Sequence, residues 1–358
     1  MQICSYTYLQ LKIYTTEMTK TDAPNASKSP SRLEDLARLA GVSVATVSRA
    51  LNDSNLISDR TKKRILSLAE EHNYAGRTQF TPRGSTISAP VSVLLPHTVG
   101  HDIHLSNPFI MELIGGIGDA LWERGEELVI THLPADGSCR DFSPDAGAFI
   151  VLGQYPLLDE LNQLARNGVR VVAWGEQYRD IDYCTVGSDN FRGSYRATSH
   201  LARLGRTRIA FVGDTEIGEA GLRFQGYRQA LDDVGLDFDP QLVMPCLLFA
   251  DAGHETVESA LARGLKFDAV AAGCDALAFG AIRALVERGM DVPNDVSVVG
   301  YDDVPLATWY NPPLTTVRQD TAKAGRQLVR KAMRLLQGEE VQSSYLPTDL
   351  IVRQSCGA

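Results

Sequence analysis

Apolar residues recur every three or four positions in three short stretches near the start of the chain. Leu33, Leu36, Ala37 and Ala40 form the first, with Ser31 as the expected cap and Gly41 where a helix would stop. Ser43 is placed to cap a second helix carrying Ala45, Val47, Ala50 and Leu51, which the polar run Asn52, Asp53, Ser54, Asn55 ends. Ser58 is expected to cap a third, longer helix that turns Ile65, Leu68 and Ala69 inward. Two helices joined by a tight glycine-containing turn and buttressed by a third make a helix-turn-helix. The spacing therefore predicts an all-α head over residues 31–74.

From about residue 85 the helical period gives way to short apolar runs. APVSVLLP, EELVITHLP, AGAFIVLG, VRVVAWG, TRIAFVGD, DAVAAGCD and SVVGYDD often end in Gly or Asp, and helical stretches such as FIMELIGGIGDALWERG alternate with them. This alternation predicts buried parallel strands with crossover helices. Two α/β lobes of similar texture fit the length, and ligands of such sheets gather at the carboxyl ends of the strands.

At 358 residues the chain exceeds what one core usually supports, so two or three compact units are expected. Charge sharpens the division. The chain carries a formal charge of -9, yet residues 31–83 hold nine Lys or Arg against six Asp or Glu, a local excess of +3 that leaves -12 elsewhere. A basic head on an acidic body can meet phosphate even though the whole is acidic. Cysteines 4, 139, 184, 246, 274 and 356 form no CxxC pair and read as reduced thiols of a cytoplasmic protein. No apolar run reaches the roughly 18 residues of a membrane helix, so no membrane partner is expected.

The opening MQICSYTYLQLKIYTTE is broken by Gln10 and Lys12 and makes a poor export signal. The polar stretch from Met18 resembles an ordinary disordered arm, so translation is expected to start there, with residues 1–30 as arm or upstream extension. Enzyme signals are weak. GGIGD at 115–119 lacks the spacing of a dinucleotide fingerprint, and no nucleophile elbow or phosphate loop is found. His97, His101 and His104 lie close together but in a stretch with no firm helix, which reads as a pocket-lining loop rather than a metal site. No cofactor, metal or catalysis is expected.

Residues 33–74, LEDLARLAGVSVATVSRALNDSNLISDRTKKRILSLAEEHNY, resemble the DNA-binding domain of the lactose-repressor (LacI/GalR) family. The likeness continues through LSNPFIMELIGGI, LRFQGYRQAL, VVGYDDVPLA and PPLTTVRQD, and spans about residues 32–356. It implies an N-terminal helix-turn-helix head and a type I periplasmic-binding-protein-like effector domain of two doubly wound parallel-sheet lobes. The head takes 31–74 and the hinge or linker 75–88. The effector domain takes 89–358, with one lobe about 89–175 and 318–346 and the other about 176–317 and 347–358.

A recognition helix needs small residues where the backbone enters the major groove, then a long donor for a base edge. The resemblance implies that Val44 and Ala45 make apolar, shape-dependent base contacts and that Arg49 donates to a guanine. Thr46, Ser48 and Asn52, with Ser43 and Asn55, suit phosphate oxygens. The hinge departs from the family pattern. Gly76 and Arg77 stand where a Pro-Asn pair is usual, Pro82 falls in the expected helix, and no leucine follows at the wedge position. Two readings remain: a flexible linker whose Arg77 and Arg83 attract phosphate, or a displaced wedge at Phe80.

In the body the resemblance implies effector contacts at Asn107, Phe109, Gln154, Trp174, Arg223, Phe249, Cys274, Asp275, Asp302 and Gln319. Alternatives stand beside these roles. Asp275 or Asp302 could cap a strand-to-helix turn, Arg223 could pair with Glu219, and Phe249 could be core. Cys274 stands where asparagine or serine is common, which weakens one polar contact. The expectation is a homodimeric repressor of carbohydrate genes, released from a pseudo-palindromic DNA operator by a sugar, with a purine or nucleoside effector as the alternative. The missing heptad tail favours a dimer over a tetramer. A secreted sugar-binding protein would leave residues 32–74 unexplained, and an enzyme on the same scaffold lacks a catalytic motif.

Overall fold

The computed structural model describes residues 33–51, 57–71, 91–96, 105–133, 142, 144–155, 157–216 and 218–358. The chain divides into two compact units, one ending at Ser85 and one beginning at Thr86. Ser31, Asn52, Asn55, Arg77, Phe80, Pro82, Arg83, His97, His101 and His104 lie outside the described residues.

In the first unit, α1 (Leu33–Ala40), α2 (Val44–Leu51) and α3 (Asp59–Glu71) follow the sequence expectation. Gly41 turns between α1 and α2 at φ +64°, a left-handed value that a side chain would strain. The Ser43 hydroxyl accepts the Thr46 N–H at 3.1 Å, and the Ser58 hydroxyl accepts the Thr61 N–H at 3.4 Å. Each hydroxyl thus satisfies one of the donors a helix start leaves open. Leu36, Ala37, Ala40, Val47, Ala50 and Ile65 form the small core, with Val42, Ile57 and Leu68 against it. Ala45, on the same helix as Val47, is exposed. It stands two residues before Val47, nearly opposite it on a 3.6-residue turn.

The second unit winds twice through the same plan. Strands β1 (Val91–Leu95), β2 (Val129–His132), β3 (Ala148–Leu152), β4 (Arg170–Trp174) and β5 (Cys184–Ser188) build one sheet. Strands β6 (Ile209–Val212), β7 (Val243–Met244), β8 (Ala269–Ala272), β9 (Ser297–Asp302) and β10 (Thr315–Arg318) build another. The chain then returns to the first sheet with β11 (Ser344–Leu346) and to the second with β12 (Asp349–Ile351). The orders are β11-β5-β4-β3-β1-β2 and β12-β10-β9-β8-β6-β7, so the first five strands of each lobe are arranged alike. The pairing is parallel throughout, except that β12 runs antiparallel to β10.

Helices cover both faces, as parallel sheets require. In the first lobe these are α4 (Pro108–Trp122) and α5 (Leu158–Arg166); in the second, α6 (Asn190–Arg203), α7 (Gly218–Asp233), α8 (Ala250–Ala262), α9 (Asp275–Glu287) and the short α10 (Leu306–Trp309). The last helix, α11 (Thr321–Leu336), goes back to the first lobe and crosses α4. There Gly325 and Gly116 let the backbones meet: a Cβ on Gly325 would lie 2.2 Å from the Gly116 carbonyl carbon. GGIGD is therefore part of a helix crossing and not a nucleotide loop.

Two expectations need correction. The first passage between lobes was expected near residue 175, but β5 belongs to the first sheet, so the chain crosses after Ser188. Registers Val172↔Cys184 and Trp174↔Val186 fix it there, and Val186 is fully buried in that core. The run CTVGS is small and polar, so it lacks the apolar signature of its neighbours. Second, β2 is not a buried strand: it closes the edge of the sheet and all four of its residues are exposed. Among the described residues no helix is long and apolar enough to cross a membrane.

Candidate operator face and effector cavity

On the head, Val44, Ala45 and Arg49 lie exposed along one side of α2, with half-buried Ser48 among them, while Val47 and Ala50 face the core. Positions i, i+1, i+4 and i+5 share one face of a helix, so these side chains form a single edge. Thr46 is less available than its sequence position implies, because its hydroxyl is hydrogen-bonded to that of Ser43 at 2.8 Å. Exposed Arg60, Lys63 and Arg64 on α3 add positive charge to the unit.

In the second unit a cavity of about 240 Å³ opens at the carboxyl ends of strands from both sheets. The first lobe supplies its apolar wall. Asn107 caps α4, its side-chain oxygen accepting the N–H groups of Phe109 at 3.0 Å and Ile110 at 3.3 Å. This cap aims Phe109 at Trp174, with ring centroids 5.9 Å apart and planes at 46°. Phe109 also packs against the cores of both lobes, so it spans the cleft.

The second lobe supplies the charge. Arg223 is buried; its Nε donates to Asn190 Oδ1 at 2.9 Å, and its Nη1 donates to the Gly273 carbonyl at 2.6 Å. The guanidinium lies 3.8 Å over the Tyr301 ring and pairs with Asp302 Oδ1 at 3.8 Å. That last separation exceeds a hydrogen bond, so the pair is held by charge and not by a shared proton. Asp302 accepts from Gln319 Nε2 at 2.7 Å, and Ser188 Oγ donates to Gln319 Oε1. Gln319 and Ser188 both stand where the chain passes between lobes.

Asp302 and Asp303 hold φ of +123° and +61°, conformations costly for side-chain-bearing residues. Arg353 Nη2 ties Asp303 at 2.6 Å, which helps keep the turn in place. Burial pushes the Asp302 carboxyl up to about 6, against the opposing pull of Arg223 and the Gln319 bond. Burial likewise raises Cys274, with the Asp302 charge adding to it, so its thiol stays neutral. Phe249 stands 40 % exposed at the start of α8 and lines the cavity, as does Cys274 at the start of α9.

Two expected contacts do not reach the cavity. Gln154 is buried behind it: Nε2 donates to the Glu176 carbonyl, and Oε1 accepts from the Tyr183 hydroxyl at 2.8 Å. Asp275 is fully buried, with the Val304 N–H at 2.9 Å and the Thr316 hydroxyl as its donors. It is a brace between α9, the Asp303 turn and β10, matching the turn-capping alternative. Burial and the Asp302 charge hold its carboxyl well above the usual range.

The structure adds lining residues that sequence reading did not select: Ser188, Asn190, Asp214, Glu219, Leu247 and Leu248. Glu219 carries the one available signal, since it stands four residues before Arg223 on the same helical face. Its close ion-pair alternative with Arg223 is not what forms; that arginine pairs with Asp302. Among the described residues no cluster of His, Cys, Asp and Glu could hold a metal ion.

Comparison with known proteins places both units. Residues 32–76 match the model of bacterial regulatory proteins of the lacI family, and residues 198–356 match that of a periplasmic binding protein-like domain. The HTH-type transcriptional regulator CelR of Thermobifida fusca is 33% identical, covering 90% of this chain and 97% of CelR. The HTH-type transcriptional regulator RegA of Clostridium saccharobutylicum is 32% identical, covering 90% of this chain and 98% of RegA. A solved CelR–cellobiose complex superposes with TM-score 0.65 at 28% identity, covering 91% of this chain and 100% of that one. A LacI-family regulator from Enterococcus faecium with bound ribose gives TM-score 0.65 at 26% identity, over 74% of this chain and 98% of that one. These relatives are transcriptional regulators. With a capped three-helix head, two lobes around a cavity and such relatives along nearly its whole length, this chain belongs to the lacI family of DNA-binding transcriptional regulators.

Proposed function

We propose that the protein is a homodimeric repressor of carbohydrate genes that leaves a pseudo-palindromic operator when a sugar closes its two lobes. The carrying observation is the division of the cavity between an aromatic wall, Phe109 and Trp174, and a polar edge, Arg223, Asp302 and Gln319. Sugars offer apolar ring faces to the one and paired hydroxyls to the other. Two similar regulators are solved with cellobiose and with ribose. Self-association is supported by the exposed apolar surface of the first lobe, where Met111, Leu128, Val129 and Ile130 stand 50%, 37%, 40% and 39% exposed.

The regulatory logic follows from linkage. A sugar shifts the lobes only if it binds one arrangement more tightly than the other, and a ligand that bridges both walls does so. Paired heads then read half-sites only when their spacing matches the groove repeat. Cytoplasmic location accords with this role.

The experiment is a thermal-shift panel of sugars, purines and nucleosides, followed by release of the full-length protein from operator DNA by the hits. A shift with a saccharide and release of the operator are expected; a shift with purines alone would overturn the carbohydrate assignment. For the head, Arg49→Ala is expected to weaken specific operator binding by about 10- to 100-fold while sugar binding persists, since a good bidentate base contact is worth about 1–3 kcal/mol. Gel retardation with operator and scrambled DNA reads this, and unchanged discrimination would remove Arg49 from the reading edge.

A further inference from the structure

The charges around the cavity do not balance. Glu219 and Asp302 line it, and among the described lining residues Arg223 is the cation set against this pair. That cation is already committed to Asn190, the Gly273 carbonyl, Asp302 and the face of Tyr301. An incoming anion would have to compete with Asp302 for a guanidinium that Asp302 largely neutralises.

Glu219 concentrates the excess at one end. It projects from the first turn of α7 in the second lobe and reaches the first: its Oε1 would lie 2.7 Å from a Cβ added at Gly175. Half-buried there, it is flanked by Glu176, whose carboxylate accepts the Tyr345 hydroxyl. Burial raises the Glu219 carboxyl, the Glu176 charge adds to that, and Arg223 and backbone N–H groups act the other way, so its repulsion of anions strengthens as pH rises and the carboxylate forms. Carboxylates in a partly dehydrated cleft accept hydroxyl donors well and repel other anions strongly.

We infer that Glu219 sets the charge selectivity of the effector site, which takes uncharged hydroxyl-rich saccharides and rejects their phosphorylated and carboxylated forms. The inference rests on reading the cavity as a saccharide site. Selection of this kind works by penalty: the wrong ligand brings a like charge that nothing in the site can meet.

The test is calorimetric titration of the full-length protein with two matched sets, glucose with glucose 6-phosphate and glucuronate, and ribose with ribose 5-phosphate, and with cellobiose as a further uncharged probe. The anionic member of each set is expected to bind at least about tenfold more weakly than its parent, and Glu219→Gln to shrink that gap to about threefold or less. An anionic sugar that binds wild type as tightly as its parent would overturn the inference, with no variant needed. So would a gap that persists unchanged in Glu219→Gln while the parent sugar still binds. Binding confined to nucleosides would instead remove the saccharide reading, and adenosine against adenosine monophosphate would then put the charge rule to the same test.

Discussion

The first lobe meets the cavity with Asn107, Phe109, Trp174 and Ser188, whereas the second meets it with Arg223, Asp302, Asp214 and Glu219. No side chain of the first lobe's described lining carries a charge, although the two lobes share one strand order. The shared topology sets where side chains emerge, at strand carboxyl ends, but not what they are. Placing rings on one lobe and charges on the other has a consequence for regulation: a ligand held by one lobe alone leaves half of its surface unmatched. Each side is also stabilised differently. The rings extend from apolar cores, while the charges depend on a strained turn at Asp302 and on the partners of Arg223.

The sharpest way to break this contrast is to remove the second lobe's cation. Arg223→Ala leaves the buried Asp302 without its counterion, and losing one partner of a buried pair costs about 3–5 kcal/mol. Urea unfolding should show a loss of that size, with effector binding lost beyond detection. A loss below about 1 kcal/mol would mean that the charges are not structurally tied to the lobe.

A smaller effect comes from titrating Asp302. Its folded value of about 6 exceeds that of an unfolded aspartate, near 3.9, because burial outweighs Arg223 and Gln319. The fold therefore favours the protonated form. The stability this contributes is full below the unfolded value and is lost as pH rises through about 6. Effector affinity runs the other way, since the carboxylate that accepts hydroxyls exists only above that value. The Kd should rise by up to about tenfold per pH unit below 6, and Asp302→Asn should flatten the profile. A flat wild-type profile from pH 5 to 8 would exclude Asp302 from the contact.

The smallest effect tests the exception, the aromatic on the second lobe. Phe249 is 40 % exposed, so Phe249→Ala should alter stability by no more than about 0.5 kcal/mol. Lost ring contact should weaken sugar binding by about 3- to 10-fold, the range of one aromatic interaction. No change in affinity would confine the ring wall to the first lobe.

Legibility in the sequence followed the range of the interactions involved. The head was readable in detail because its helices are set by near neighbours: Gly41 in the turn, and Ser43 and Ser58 capping at i+3. Strands with continuous apolar runs were equally clear, except that β2 is an exposed edge and not a buried strand. β5 was not, because CTVGS becomes a buried strand only by pairing with β4 and β11. Asp275 and Asp302 show the same limit at the site. Both are acidic residues that follow or end an apolar strand run, Asp275 at the start of α9 and Asp302 at the end of β9, yet one braces the scaffold and the other faces the cavity.

By itself, the sequence determined the capped helices of the head, the alternation of buried strands and helices, and the residue types able to grip a polyol. Those depend on local backbone preferences and on apolar periodicity. Only the tertiary structure decided which lobe owns β5, which carboxylate faces the cavity, and that Glu219 meets the first lobe beside Gly175. Such matters rest on strand pairing and on the burial of charges between distant segments, and a one-dimensional pattern carries neither.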